Sequence, residues 1–176
     1  MTGPRVIGLD LSITATGIAL VDGETFTVAG KASEGDRRLA TIALTVRSHT
    51  WHDDRGPLAD LVVIEDLPVH AHAAGITAMV HGAARLALLG AGIPYVLVPP
   101  ATLKKYATGK GNADKTAMAI AALKRTGREF TDDNQCDAWW LRAAGLQALG
   151  HPVVDVPQSQ IEALAKVTWP NLKEQI

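Results

Sequence analysis

Cysteine is almost missing from this chain: Cys136 is the single one in 176 residues. That excludes an internal disulfide and any zinc site built on several thiolates. No apolar run approaches the ~20 residues of a membrane-spanning helix. The N-terminus lacks the basic-then-apolar pattern of a secretory signal, so the expectation is a cytoplasmic protein. Net charge is nearly absent too, since 17 Lys and Arg against 18 Asp and Glu leave −1. That balance by itself gives no hint of nucleic acid. No internal repeat or low-complexity segment occurs. The length suits one domain with a sizeable core, and 47% hydrophobic residues describe a globular protein.

What is present is organised around residues 5–21. Val6 to Leu11 is a short apolar run rich in β-branched residues, which predicts a buried strand. Asp10 interrupts it, and a carboxylate in a central strand is costly to bury unless a cation or a metal pairs with it. A polar turn, Ser12 to Thr16, and Gly17 lead into a second apolar run, so Asp10 sits near the end of one arm of a hairpin. Capping of that turn is the alternative role for Asp10. Asp22-Gly23 predicts a tight turn into a third strand at about 24–31.

Further along, residues 36–50 carry Leu39, Ile42, Ala43 and Val46 at helical spacing. His49, Trp51, His52, Asp53 and Asp54 follow; they adjoin rather than face one another, which favours a solvated loop over a metal site. Asp60 to Glu65 holds four consecutive apolar residues, as in a strand buried on both faces of a parallel sheet. Glu65 falls at its C-terminal end, where open α/β sheets build their sites. The next loop, 66–75, carries His70 and His72, read as loop surface in preference to metal ligands. A helix at about 75–91 and a buried strand, Ile93 to Val98, come next.

Ala101 to Tyr106 predicts a short helix, and Thr108-Gly-Lys-Gly111 precedes another that begins at Asp114. A glycine-rich basic loop at a helix start suits phosphate, although the spacing is not that of a Walker A loop. Lys104, Lys105, Lys110 and Lys115 make this a local basic patch on a nearly neutral protein. Thr131 is expected to cap the last long helix, Asp132 to Leu149. Its Asp133 and Asp137 are four apart and share a face. Complementing the helix dipole explains Asp132 and Asp133 more readily than Asp137, a turn deeper. Residues 151–176 read as a C-terminal extension after a 1–150 domain, with one short helix from Ser159 to Lys166.

Asp10, Glu65 and Asp133/Asp137 thus recur at one edge of the presumed sheet. Carboxylates drawn together repel, and some stay protonated unless cations neutralise them. Hard oxygen donors point to Mg²⁺ or Mn²⁺. Two such ions about 4 Å apart can activate a water and stabilise the leaving oxygen of a phosphodiester.

Gly8-Leu-Asp10 with Thr16-Gly17, Val63-Ile-Glu65, Pro100-Ala-Thr-Leu-Lys104 with Thr108 to Lys115, and Asp132-Asp-Asn-Gln-Cys-Asp137-Ala138 resemble the RuvC-type Holliday-junction resolvases, particularly the divergent versions found in phages. The resemblance spans about residues 5–149. It implies an α/β, ribonuclease H-like fold with a mixed five-stranded sheet flanked by helices. It also implies a homodimeric endonuclease that uses two Mg²⁺ ions, with Mn²⁺ able to substitute, to nick opposed strands of a four-way DNA junction. Asp10, Glu65 and Asp137 carry over as metal ligands. The position three before the last Asp, often acidic or His in the family, is Asn134 here, so Asp133 or Asn134, or else Asp132, must complete the set. Lys104, Lys105, Lys110 and Lys115 match the phosphate-contacting region. The family's wedge loop is Leu67-Pro68-Val69-His70 here, without an aromatic.

Three alternatives stay open. Actin-like ATPases begin with a similar strand and turn but need a second domain. A non-catalytic junction-binding module, or a nuclease of the same fold acting on structured RNA, would keep the fold. For dimerisation, the stripe Ile76, Met79, Val80, Ala83 and Leu86 of the 75–91 helix is the expected surface, although part of it must face the protein's own sheet, with His81, Ala84 and Arg85 along a second contact face.

Overall fold

The computed structural model describes residues 3–67 and 74–171. Five strands form the main sheet: β1 (Val6–Asp10), β2 (Ala15–Ala19), β3 (Thr25–Ala29), then β6 (Leu61–Glu65) and β7 (Tyr95–Val98). Between them lie α1 (Asp36–Thr50) and a two-residue ribbon of β4 (Trp51–His52) with β5 (Gly56–Pro57), where a loop was expected. The helices that follow are α2 (Ala74–Gly90), α3 (Pro100–Thr108), α4 (Lys115–Thr126), α5 (Asp133–Ala148) and α6 (Gln158–Ile161), the last continued by a 3-10 turn at Glu162–Lys166. The strand order is β3-β2-β1-β6-β7; the first two neighbours pair antiparallel and the last two parallel. Among the described residues no helix is long and apolar enough to cross a membrane.

Strict alternation along each strand sorts the side chains into two layers. Val6, Leu61, Val63, Val96 and Val98 face α5, α3 and α4, whereas Ile7, Leu9, Ile18, Val62 and Ile64 face α1 and α2. The apolar run in β6 is thus buried on both faces because helices cover both. The main chain and guanidinium of Arg5 hold the Asp60 carboxylate, which pins the starts of β1 and β6 and with them their register.

The close fit of α5 to the sheet depends on glycine. A Cβ on Gly8 would overlap the carbonyl oxygen of Ala138, and one on Gly17 that of Asn134; one on Gly145 would crowd Val6 and Val63. The helix backbone therefore rests directly on β1 and β2. Trp140, Leu141, Ala143 and Ala144 of α5 are fully buried, and burial of each larger apolar side chain contributes about 1.5–3 kcal/mol. Residues beyond 150 share this core, since Val154, Val156, Leu164 and Val167 join the same cluster.

Two expectations are corrected. The last helix is capped by Asp132, not Thr131: the Asp132 carboxylate accepts the backbone N–H of Gln135 at 2.9 Å. And in α2 it is Val80, His81, Ala84 and Leu88 that face the protein's own core, so His81 and Ala84 offer no contact face to a partner. Arg85 is engaged within the chain, stacking on Tyr95 and donating to its hydroxyl at 2.9 Å. The exposed row is Ile76, Met79, Leu86 and Leu89, at 52%, 51%, 70% and 63%.

Candidate active site

Asp10 follows Gly8 by two residues and Glu65 follows Val63 by two, so alternation turns both carboxylates to the face that α5 covers. Leu9 pairs with Ile64 across the parallel junction, and Asp10 and Glu65 come next on adjoining strands, about 4.8 Å apart in backbone spacing. Across β1 and β2, Asp10 pairs with Gly17, over which the first turn of α5 sits. That turn brings Asp133 and, one turn on, Asp137. The three parts of the sequence that carry carboxylates therefore meet at one end of the sheet.

The electrostatics report the meeting. Asp10 is pushed up to about 8, by burial first and then by Glu65, Asp137 and Asp133, with Lys115 opposing. Burial and then Asp137 raise Glu65 to about 7, against Lys104. Burial and then Asp133 raise Asp137 to about 6, with Lys104 and Lys115 opposing. Asp133 forms an ion pair with Lys115. No hydrogen bond among the described residues reaches the carboxylates of Asp10, Glu65 or Asp137, unlike Asp132, which is occupied at the helix cap. Among the described residues no three acidic, imidazole or thiol groups are already gathered as a coordination shell.

The basic residues divide. Lys104 on α3 and Lys115 at the start of α4 reach the carboxylate cluster. Lys105 and Lys110 are exposed and make no ion pair among the described residues. The loop before α4 was expected to offer helix-start amides to phosphate, yet Asp114 caps that helix by accepting from Ala117 at 2.8 Å. The Ala117 amide is therefore not free for a phosphate, and Lys110 and Lys115 flank the helix start.

Of the other candidates, His49 belongs to the last turn of α1 and lies 2.9 Å from the Thr45 carbonyl, while Asp53 meets Arg47 and His52 meets the Asp54 amide. Among the described residues they are not gathered into one group. Pro68, Val69, His70 and His72 lie outside the described residues. Sequence reasoning missed the tie between strand β3 and the start of α5, in which Thr27 donates to Asp132 at 2.6 Å and Thr25 to Gln135 at 3.0 Å. The spacing of Asp132 to Gln135, a capping residue with Gln three places on, was the available signal.

No protein-family model matches the chain. Over 133 residues it is 33% identical to the crossover junction endodeoxyribonuclease RuvC of Rhodococcus opacus, covering 68% of this chain and 69% of that protein. To the RuvC of Corynebacterium efficiens it is 28% identical over 135 residues, 71% of this chain and 60% of the relative. A Thermus thermophilus RuvC structure superposes with a TM-score of 0.65 at 21% identity, covering 85% of this chain and 99% of the other. The same organism's RuvC in complex with a Holliday junction substrate gives 0.66 at 21% identity, covering 85% and 98%. The structural likeness bears out the expected fold, a mixed five-stranded sheet flanked by helices in the ribonuclease H-like manner. On its likeness to the Rhodococcus protein, the chain belongs to the RuvC family of crossover junction endodeoxyribonucleases.

Proposed function

We propose that this protein resolves four-way DNA junctions by paired phosphodiester cuts, as a homodimer whose sites each hold two Mg²⁺ ions, with Mn²⁺ able to substitute. The observation that carries the reading is the meeting of Asp10, Glu65 and Asp137 on one face, with the pKa of each carboxyl raised by burial and by its acidic neighbours. Such a set opposes its own ionisation and is relieved by cations. The donors fit a hard divalent ion, being carboxylates with no thiolate or imidazole in the set. Metal dependence is general to the family. Bound ions would supply an activated water and neutralise the leaving oxygen.

In this reading Asp10, Glu65 and Asp137 are the principal ligands. Asp133 completes the set in preference to Asn134 or Asp132. It acts on the charges of Asp10 and Asp137, whereas Asp132 is engaged as a helix cap. Its partner Lys115, 76% exposed, has room to turn from Asp133 to a phosphate. Lys104 and Lys115 then hold phosphates beside the cut, and Lys105 and Lys110 guide the DNA arm further out. Support for a second copy comes from the exposed apolar row Ile76, Met79, Leu86 and Leu89 on α2, with Leu44 exposed on the adjoining α1. A two-fold interface there would give the two sites that opposed nicks require.

Incubating the protein with labelled four-way, three-way and linear DNA, in Mg²⁺ and in EDTA, tests the reading. Symmetric nicks in the four-way junction that need metal are expected. Binding without cleavage would identify a junction-binding module, and equal cutting of linear duplex would remove structure selectivity. Preferential cutting of structured RNA would move the substrate class.

A further inference from the structure

Two of the four carboxylates ride on the first turns of α5, and that start of the helix is fastened to edge strand β3 by side chains outside the acidic set. Thr27 donates its hydroxyl to one oxygen of Asp132 at 2.6 Å. The other oxygen of Asp132 accepts the Gln135 backbone N–H at 2.9 Å, which is the helix cap. The Gln135 amide returns to Asp132 at 3.3 Å and accepts the Thr25 hydroxyl at 3.0 Å. Thr25 and Thr27 are alternate residues of β3, hence on one face, and both turn toward the helix. The network holds Asp132 ionised: although burial disfavours the charge, the bonds from Thr27 and Gln135 bring its pKa below the ordinary carboxylate value.

A cap alone needs none of the strand residues, since a single Asp, Ser or Thr accepts a first-turn amide without help. The threonines add a lateral tie. It fixes the helix start about its own axis, and rotation is what would carry Asp133 and Asp137 away from Asp10. Beneath the same turn the Asn134 carbonyl rests on Gly17, the β2 partner of Thr27, with no room for a Cβ between them. The first turn is thus held from below by β2 and from the side by β3.

We propose that Thr27 and Asp132 are positioning residues: their bond sets the rotation of the first turn of α5 and so the placement of Asp133 and Asp137 against Asp10. The proposal rests on the nuclease reading of those carboxylates. Placement errors near 1 Å cost catalysis about 100-fold, so the tie acts on turnover rather than on DNA affinity.

Three variants separate the tie from mere capping. Thr27→Val removes the hydroxyl and keeps the shape; Thr27→Ser keeps the hydroxyl; Asp132→Ser keeps a good cap but is too short to reach Thr27. The full chain is assayed for junction cleavage, for Mn²⁺ binding by calorimetry, and for hydrogen exchange at the amides of Gln135 to Asp137. Thr27→Val and Asp132→Ser are expected to lower kcat ~10- to 100-fold with KM unchanged, to weaken Mn²⁺ several-fold and to speed exchange at those amides. Thr27→Ser should restore all three. Both changes break the Thr27–Asp132 bond, and Asp132→Ser also loses the contact from the Gln135 amide, so the double variant should be no worse than Asp132→Ser alone. Wild-type kcat and Mn²⁺ affinity in Thr27→Val, or additive losses in the double variant, would overturn the proposal. Failure of the nuclease reading looks different: the wild type itself would neither bind Mn²⁺ nor cut, and Asp137→Asn would change nothing.

Discussion

Asp10→Asn changes one charge and almost no shape, and its effect on stability should reverse with metal. In the metal-free protein the carboxyl of Asp10 is raised from 3.8 to about 8, chiefly by burial and then by Glu65, Asp137 and Asp133. Between about pH 4 and pH 8 the folded state therefore keeps a proton that the unfolded chain has released. Stability from this group is fully present below pH 4 and is lost as pH rises through 8. For an isolated group, each pH unit between those two values is worth about 1.4 kcal/mol. Glu65 at about 7 and Asp137 at about 6 ionise inside the same window, and water reaches all three. The expected gain of Asp10→Asn over wild type at pH 8.5 in EDTA is therefore on the order of 2 kcal/mol, with near-equality at pH 4. Urea unfolding at constant m measures the difference. Added Mn²⁺ should stabilise the wild type by linkage and the variant far less, reversing the order. A variant less stable than wild type at pH 8.5 in EDTA would refute the reasoning.

Glu65→Gln and Asp137→Asn should each abolish junction cleavage while leaving junction binding intact or tighter, since each removes a ligand charge and keeps the shape; gel-shift and cleavage assays side by side check this, and activity above a few per cent would remove the residue from the site. The triple change Lys104→Ala, Lys110→Ala, Lys115→Ala should weaken binding to all sequences and reduce the slope of log K against log salt by about 0.9 for each phosphate that is no longer neutralised; an unchanged slope would put the DNA elsewhere. Gly17→Ala drives a methyl into the Asn134 carbonyl, so a loss of about 1–3 kcal/mol in unfolding free energy is expected, and an unperturbed Tm would contradict the close approach of α5. Leu86→Glu with Met79→Glu on the exposed row of α2 should give a folded monomer by sedimentation that no longer makes paired cuts; a dimer surviving the change would place the interface elsewhere.

How much of the molecule is legible in its sequence follows from what each feature depends on. The elements are, because their signals are local: alternating and continuous apolar runs mark β1, β2, β3 and β6, and α1 runs over Asp36–Thr50 as its spacing predicts. Asp10 and Glu65 stand out because a carboxylate ending an apolar strand is costly without a partner, and such a cost is written in the sequence. Other features need the packed molecule. Residues 74–90 are apolar nearly all round, so periodicity cannot choose which row is buried; packing against α1 and in the core layer on that face of the sheet chooses Val80, Ala84 and Leu88 and leaves Ile76, Met79 and Leu86 outside. Thr131 and Asp132 are both acceptable caps by type, and the Thr27 hydroxyl, 105 residues away in the chain, helps to hold Asp132 in place. The sequence by itself determined the strands, the helices and the carboxylates because each rests on local periodicity or on the cost of burying a charge. Only the tertiary structure decided which helix face is free, which acid is taken up by capping, and how close α5 comes over Gly8 and Gly17, because these depend on residues far apart in the chain competing for the same space.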